Sequence, residues 1–453
     1  MNDTTMVSQG MPDREQEFES LAQHVDEAVS RAIESGADQA EASASMHAGV
    51  GVNVRLGEVE TIEHNRDRGV SVTVFVGRSK GHASSADLQP GSVRSCVQRA
   101  IDIAKYTQPD KCNGLADPDR LARDFPELDL WHPRPLDIEE IKQRALDCES
   151  AGLADKQISN SEGGSSSTSL GLSVYGNSNG FTGRSGATRF GQSCVLIAGV
   201  GKSMQRDYWY DSRRAFSDLE SPAETGAEAA RRTLARMGAR KIKTCKLPVL
   251  FAPEVARGLM GHFIGAISGG ALYRNASFLK DTLGQTLFPE WLSISEHPFL
   301  KRAVGSCAFD AEGVATRDRK IIDRGELTGY VLSSYSARRL GLETTGNSGG
   351  VHNLQVSGNE LPFNSLLAEM GNGLLVTEVM GQGVSMVTGN YSRGASGFWV
   401  ENGEIVYPVE EVTIAGNLRK IFAGISAIGK DVDDRSNIQT GSILVDGMTI
   451  AGS

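Results

Sequence analysis

The stretch Pro253–Gly270, PEVARGLMGHFIGAISGG, carries the residues best placed to do chemistry. It follows an apolar run, Leu247–Ala252, that reads as a buried strand. Pro253 suits the first turn of a helix, where its missing N–H needs no intrahelical partner. Val255, Leu259, His262, Phe263, Ala266 and Ile267 recur at spacings of three and four, so His262 is expected inside one apolar helical face. Gly258, Gly261, Gly265 and Gly269 form a second stripe. Each interior glycine costs roughly 0.8–1 kcal/mol against alanine, so another element or a bound chain is expected to approach that backbone closely.

A strand feeding a helix with an inward histidine could frame a metallopeptidase site, and geometry tests the idea. A helical zinc motif needs two histidines about one turn apart and a glutamate beside the first as general base. One turn before His262 stand Arg257, Gly258 and Leu259; one turn after stand Gly265 and Ala266. None of these ligates zinc. Glu254 lies eight residues back, about 12 Å along the axis, and cannot share an ion with His262.

Other motifs are weaker. Gly381-Gln-Gly383 resembles the start of a dinucleotide fingerprint but lacks the third glycine and reads as a turn at a strand end. The loop Thr344–Asn353, TTGNSGGVHN, is either structural or a surface presenting backbone groups to a bound peptide. Its candidates are Gly346, Asn347, Gly349, Gly350, His352 and Asn353. In TGNYSRGASGFWVE (388–401) the aromatic residues on alternate strand positions are either core or, as an exposed Tyr391–Arg393 pair, the edge of a peptide groove or a subunit contact. Glu296-His297-Pro298 reads as a loop. The six cysteines show no CxxC spacing and are expected to be reduced, packed thiols.

The helix resembles the corresponding segment of the TldD/PmbA (TldE) family of metallopeptidases. In that family's catalytic branch the helix carries HExxxH. On this chain those positions are Arg257 to His262, with Arg257 for the first histidine, Gly258 for the base and only His262 retained. The third ligand, a cysteine before a glycine, corresponds to Thr440-Gly441. FSDLESP, TGNSGGVHN, VTEVMGQGVS, TGNYSRGASGFWVENGEI and the tail RSNIQTGS…IAGS resemble the PmbA/TldE branch, from about residue 20 onward. The resemblance implies no zinc in this chain and a zinc-bearing TldD-like catalytic partner. It also implies proteolysis of small or unfolded polypeptides such as antitoxins and leader peptides of modified peptide antibiotics. His262, the 344–353 loop, Tyr391 and Arg393 then become candidate groove residues.

Composition bounds these readings. The chain has 453 residues, 39% of them hydrophobic, enough for two or three cores. A net charge of −10 argues against a nucleic-acid binder. No apolar run of membrane-spanning length and no signal-peptide core occur, so a cytoplasmic protein is expected.

The positioning elements follow from periodicity. Residues 1–14 read as a disordered tail. A helix is expected over Gln16–Ile33, with Phe18, Leu21, Val25, Val29 and Ile33 inward. Strands follow at Val50–Leu56 and Val70–Val76, then a helix over Gly91–Tyr106. The pattern recurs. Asp137 and Glu140 suggest a capping box opening a helix to Cys148; strands follow near Leu170–Val174 and Cys194–Ala198; Ser221, Pro222 and Glu224 start a helix to Met237. The expected fold is α+β: residues 15–240 as two duplicated α+β lobes (about 15–110 and 135–240) with mainly antiparallel sheets, then a β-rich, Gly-rich domain over 245–453 carrying the buried helix. In the latter, strands are expected at 321–322, 327–332, 374–380, 397–401, 405–407 and 442–445. Turns are expected at DRGE and ENGE, and helices at Ser336–Leu340 and Asn417–Ile428.

Three functions fit. The chain is a metal-free subunit of a TldD/TldE-type peptidase, with a homodimer possible in isolation. It is alternatively a self-sufficient metallopeptidase with ligands from distant segments, or a peptide-binding regulatory module.

Overall fold

The computed structural model describes residues 13–135 and 137–452. It divides into two compact units. One comprises the chain up to Val200 with Arg206–Leu234 and Cys307–Thr316; the other comprises Gly201–Gln205, Ala235–Ser306 and Arg317–Ser453. The expected boundary at 240 therefore falls at Leu234/Ala235, and each unit takes in a short segment from elsewhere in the sequence.

The first unit repeats helix, three strands, helix. The first copy is α1 (Arg14–Glu34), β1 (Gln39–Arg55), β2 (Glu58–Val76), β3 (Ser79–Ser85) and α2 (Pro90–Tyr106). The second is α3 (Ile138–Leu153), β4 (Ile158–Asn177), β5 (Thr182–Ala198), β6 (Gln205–Arg213) and α4 (Pro222–Ala235). The copies are not separate lobes: they share one sheet, ordered β3-β2-β1-β4-β5-β6. The seam is an antiparallel pairing of β1 with β4 from Glu41↔Asn177 to Val54↔Gly164. Each three-stranded copy would otherwise leave a long unpaired edge there.

Alternation is read faithfully by the core. Ala40, Ala42, Ala44 and Met46 of β1 and Val70, Val72 and Val74 of β2 pack with Phe18, Leu21 and Val25 of α1 and Val93, Val97, Ile101 and Ala104 of α2. Four local expectations change. Asp13 caps α1 through the Glu15 and Gln16 N–H groups, so residues 13 and 14 are ordered; residues 1–12, the rest of the expected tail, lie outside the described residues. Ile33 is 40% exposed, because the buried seam of α1 runs 18-21-25-28-32 and passes it by. Leu56 is 59% exposed with φ 51°, in the β1–β2 turn. Asp137 caps α3 through Glu139 N, but Glu140 turns to Arg134, so the reciprocal box is absent and the helix continues to Leu153. Ser221 and Glu224 do form such a box.

The second unit runs β7 (Cys245–Phe251), α5 (Pro253–Ala266), α6 (Gly269–Tyr273), β8 (Ser293–Glu296), β9 (Arg319–Asp323), β10 (Glu326–Leu327), α7 (Ser334–Leu340), β11 (Leu354–Ser357) and β12 (Glu360–Leu361). It continues with α8 (Phe363–Met370), β13 (Gly373–Met380), β14 (Asn390–Glu401), β15 (Glu404–Asn417), α9 (Leu418–Ala423), β16 (Ile425–Gly429), β17 (Ile438–Gln439) and β18 (Ile443–Ala451). One sheet is ordered β10-β9-β8-β11-β17 and the other β12-β16-β18-β15-β14-β13-β7. Because β7 also pairs with β18, the ring β7-β13-β14-β15-β18 closes on itself.

β7 is apolar without alternation because both faces are covered. Val249 and Phe251 join the core containing α5, while Leu250 joins Leu366, Leu367 and Met370 of α8. DRGE and ENGE form two-residue hairpin turns, with positive φ at Arg324, Gly325, Asn402 and Gly403. The expected helix Asn417–Ile428 stops at Ala423: Gly424 caps it, and Ile425 and Ile428 belong to β16 instead. Of the expected strand 327–332, only Leu327 lies in β10.

Candidate functional site

The α5 helix buries Val255, Ala256, Leu259, Met260, Phe263 and Ala266. His262 is not among them. It sits half-buried at the rim of that face, where its ring meets Tyr391 edge-on at 6.0 Å between centroids. Burial, and next the charge of Arg393, hold its imidazole below the usual range, so His262 is neutral at pH 7. Of the two readings open for Tyr391 the structure takes the core one: it is only 3% exposed, because the register of β14 turns it into the core with Ala395. Burial pushes its hydroxyl up to about 12. Arg393 stays half-exposed, its Nε donating to the Met380 carbonyl at 3.0 Å. His262, Tyr391 and Arg393 are thus one cluster.

The glycine stripe is not packed as expected. Gly269 lies beyond α5, at the start of α6, and alone of the four is tightly approached, by Ser336 and Leu332. A Cβ at Gly265 would make an ordinary contact, 3.4 Å from Cε of Met386. A Cβ at Gly258 or Gly261 would meet nothing within 4 Å. The ridge of α5 between Arg257 and His262 is bare backbone facing open space.

Arg257 and Thr440 come together although 183 residues apart in sequence. Arg257 Nη1 lies 3.4 Å from Asp433 Oδ2. Arg435 grips the same carboxylate, Nε to Oδ1 at 2.8 Å and Nη2 to Oδ2 at 3.1 Å. Asp433 N donates to the carbonyl of Thr440 at 3.3 Å, and Thr440 is itself buried. Burial raises the Asp433 carboxyl, but hydrogen bonds and charge from Arg435, with Arg257 behind it, more than offset this and hold it below the usual range. Gly441 must be glycine here, since a Cβ would collide with the Gly429 carbonyl.

As a zinc donor set this arrangement does not fit. Two guanidinium groups already neutralise its carboxylate, Thr440 offers a hydroxyl that donates to the Gly441 carbonyl at 3.0 Å, and His262 is a single imidazole. Among the described residues no group of three or more His, Cys, Asp or Glu side chains is gathered to hold a metal ion. The arrangement can instead bind: it offers a bare helical ridge, guanidinium N–H donors and one neutral imidazole. Sequence reasoning missed Asp433 and Arg435, because the run Asp431-Val-Asp-Asp reads as a solvated turn.

The 344–353 loop is organised from beneath by Glu296, 1% exposed. Its carboxylate accepts from Arg319 Nε, Asn347 Nδ2 and His352 N, each at 2.7 Å. His352 Nε2 lies 3.0 Å from the Gly346 carbonyl. Asn353 Nδ2 donates to the His297 carbonyl at 2.9 Å and to Ser306 Oγ at 2.7 Å. Asn347, Asn353 and Gly346 face inward, while Gly349 is exposed and Gly350, at φ 122°, is half-exposed with open space beside it. His297 pairs with Asp318 at 2.7 Å.

Comparison with known proteins places this geometry. Residues 40–104, 131–237 and 244–452 match the models of domain 1, the central domain and the C-terminal domain of the PmbA/TldA metallopeptidases. The chain is 50% identical over 440 residues to the metalloprotease PmbA of Escherichia coli O157:H7, covering 96% of this chain and 98% of that one. Among solved structures, a Bacteroides thetaiotaomicron protein named as a candidate modulator of DNA gyrase superposes with a TM-score of 0.90 at 26% identity, covering 95% of this chain and 99% of that one. TldE of Thermococcus kodakarensis shares the fold, with a TM-score of 0.82 at 21% identity and coverage of 95% and 100%. No helix among the described residues is long and apolar enough to cross a membrane.

Proposed function

The chain belongs to the PmbA/TldD family of metallopeptidases, and we propose that it serves as the metal-free half of a heteromeric peptidase acting on small or unfolded polypeptides in the cytoplasm. One observation carries this reading: Arg257, at the position of the first histidine in the catalytic branch's motif, is ion-paired with Asp433 beside Thr440. Zinc and the hydrolytic water would belong to a TldD-like partner. This chain's part is to bind. The ridge at Gly258 and Gly261 receives the partner or an extended substrate, with Arg257, His262 and Arg393 supplying polar contacts. Strand addition is poorly served in this unit: the ring is closed, and the outer strands β10, β12 and β17 are two residues long.

The test is zinc content and peptidase activity, measured on the chain alone and co-purified with a TldD-like protein. We expect no stoichiometric zinc and no chelator-sensitive cleavage alone, and both in the complex. About one zinc per isolated chain with such cleavage would overturn the proposal. It would favour the second reading, a self-sufficient peptidase, to which the name of the Escherichia coli relative lends support.

A further inference from the structure

Helices cover one face of the six-stranded sheet, packing on Ala42, Ala44 and Met46 of β1 and on Leu172 and Val174 of β4. The odd-numbered residues of these strands point the other way, and there the sheet is the floor of a trough of about 720 Å³. That floor is Gly49, Gly51, Ser167, Ser169, Gly171 and Ala187. Glycine is depleted in strands because it has no side chain to pack, and three glycines here leave the backbone within reach of a ligand. His47 leans from β1 over β4, where a Cβ at Gly171 would lie 2.6 Å from its Nδ1. The walls are charged. β2 supplies Glu63 and Asp67; β5 supplies Arg189, with Arg214 just past the end of β6. Glu63 and Asp67 are exposed, and among the described residues no hydrogen bond or ion pair holds either. Arg189 uses its Nε, donating to Ser212 Oγ at 2.7 Å. Burial, and next the charge of Arg189, hold the Arg214 guanidinium below its usual range, so the two cations are close enough to repel. An anion between them would relieve that repulsion.

We propose that this trough binds a short peptide with both termini free, its ammonium at Glu63 or Asp67 and its carboxylate at Arg189 and Arg214. Strand register fixes the width. Glu63 pairs with Gly51 and Asp67 with His47. Gly51 pairs with Ser167 and His47 with Gly171, while Arg189 pairs with Ser169, midway between those two rows. Arg189 therefore stands three strand spacings from each acid and one same-face step along the strands, about 16 Å on the diagonal. Three residues of extended chain reach roughly 10 Å. A hydrogen bond of about 3 Å at each end completes the span. An intact polypeptide has no opposite termini at that separation, so the ligands are fragments of the kind that peptide hydrolysis releases. The inference concerns this chain alone and holds whichever subunit of the proposed peptidase carries the zinc.

Titration of the full chain with trialanine at low salt, followed by calorimetry or NMR, tests this without any peptidase partner. Saturable binding of one peptide per chain is expected, weakening as salt rises. Acetyl-trialanine amide, which carries neither charge, should not bind. Arg189→Gln should weaken trialanine binding by roughly threefold to tenfold and leave trialanine amide unaffected, because the amide brings no carboxylate to that wall. The double variant Glu63→Gln/Asp67→Asn should do the converse, weakening trialanine and sparing acetyl-trialanine. Ser167→Phe, at an exposed floor position, should abolish binding with the melting temperature unmoved. No saturable binding, equal binding of the doubly capped peptide, or an Arg189→Gln loss as large for the amide would each overturn the proposal. So would a wild type that sediments as a dimer and becomes a monomer in Ser167→Phe, which would give this face to a second copy.

Discussion

At the scale of residues, the site depends on which groups are charged. His262 is neutral because burial and Arg393 disfavour its cationic form. A histidine whose folded pKa lies below its ordinary 6.5 binds protons more readily in the unfolded chain, so the fold loses stability as pH falls through 6.5. In His262→Gln that contribution is absent. The urea midpoint of the wild type should fall more steeply than that of the variant between pH 7.5 and 5.5, and parallel curves would refute the assignment. Arg393→Gln should raise the His262 pKa, read by NMR titration. The two guanidinium partners of Asp433 should differ sharply. Arg257→Ala removes a longer, partly exposed pair and should cost about 0–1 kcal/mol. Arg435→Ala strips a buried carboxylate of its bidentate partner and should cost roughly 3–5 kcal/mol, measured by denaturant unfolding.

At the scale of elements, α5 separates stability from function. Gly258 and Gly261 lie in a helix interior with open space where a methyl would go. Gly258→Ala and Gly261→Ala should therefore each stabilise the isolated chain by roughly 0.5–1 kcal/mol. If the ridge receives a partner or substrate, the same changes should weaken co-purification with a TldD-like chain or lower the activity of the complex. Variants that are stabilised and fully functional would show that nothing docks there. Gly441→Ala is the contrast. Its Cβ would strike backbone, so it should destabilise strongly and resist purification.

At the scale of the whole molecule, association is what the proposed function requires. Mixing this chain with a TldD-type protein from the same cell should give a complex in sedimentation whose interface buries more than roughly 1,000 Å². Two monomers in the mixture would remove the heteromeric reading.

The sequence by itself determined the repeated α+β plan, the ring-forming strands around Leu374–Met380 and the turns at DRGE and ENGE, since these rest on local periodicity and on residues that tolerate positive φ. It also determined that α5 lacks the histidine spacing of a zinc helix. Only the tertiary structure decided what depends on neighbours distant in the chain. Two repeats became one sheet because each offered the other an edge. A helical stripe split at Gly424 because Ile425 and Ile428 pair with β18 rather than continue a helix. Tyr391 turned inward because strand register, not residue type, chooses the face. Asp433 became a buried ion-pair centre because Arg257, 176 residues away, folds back onto it, and no pattern in a linear run of aspartates carries that contact.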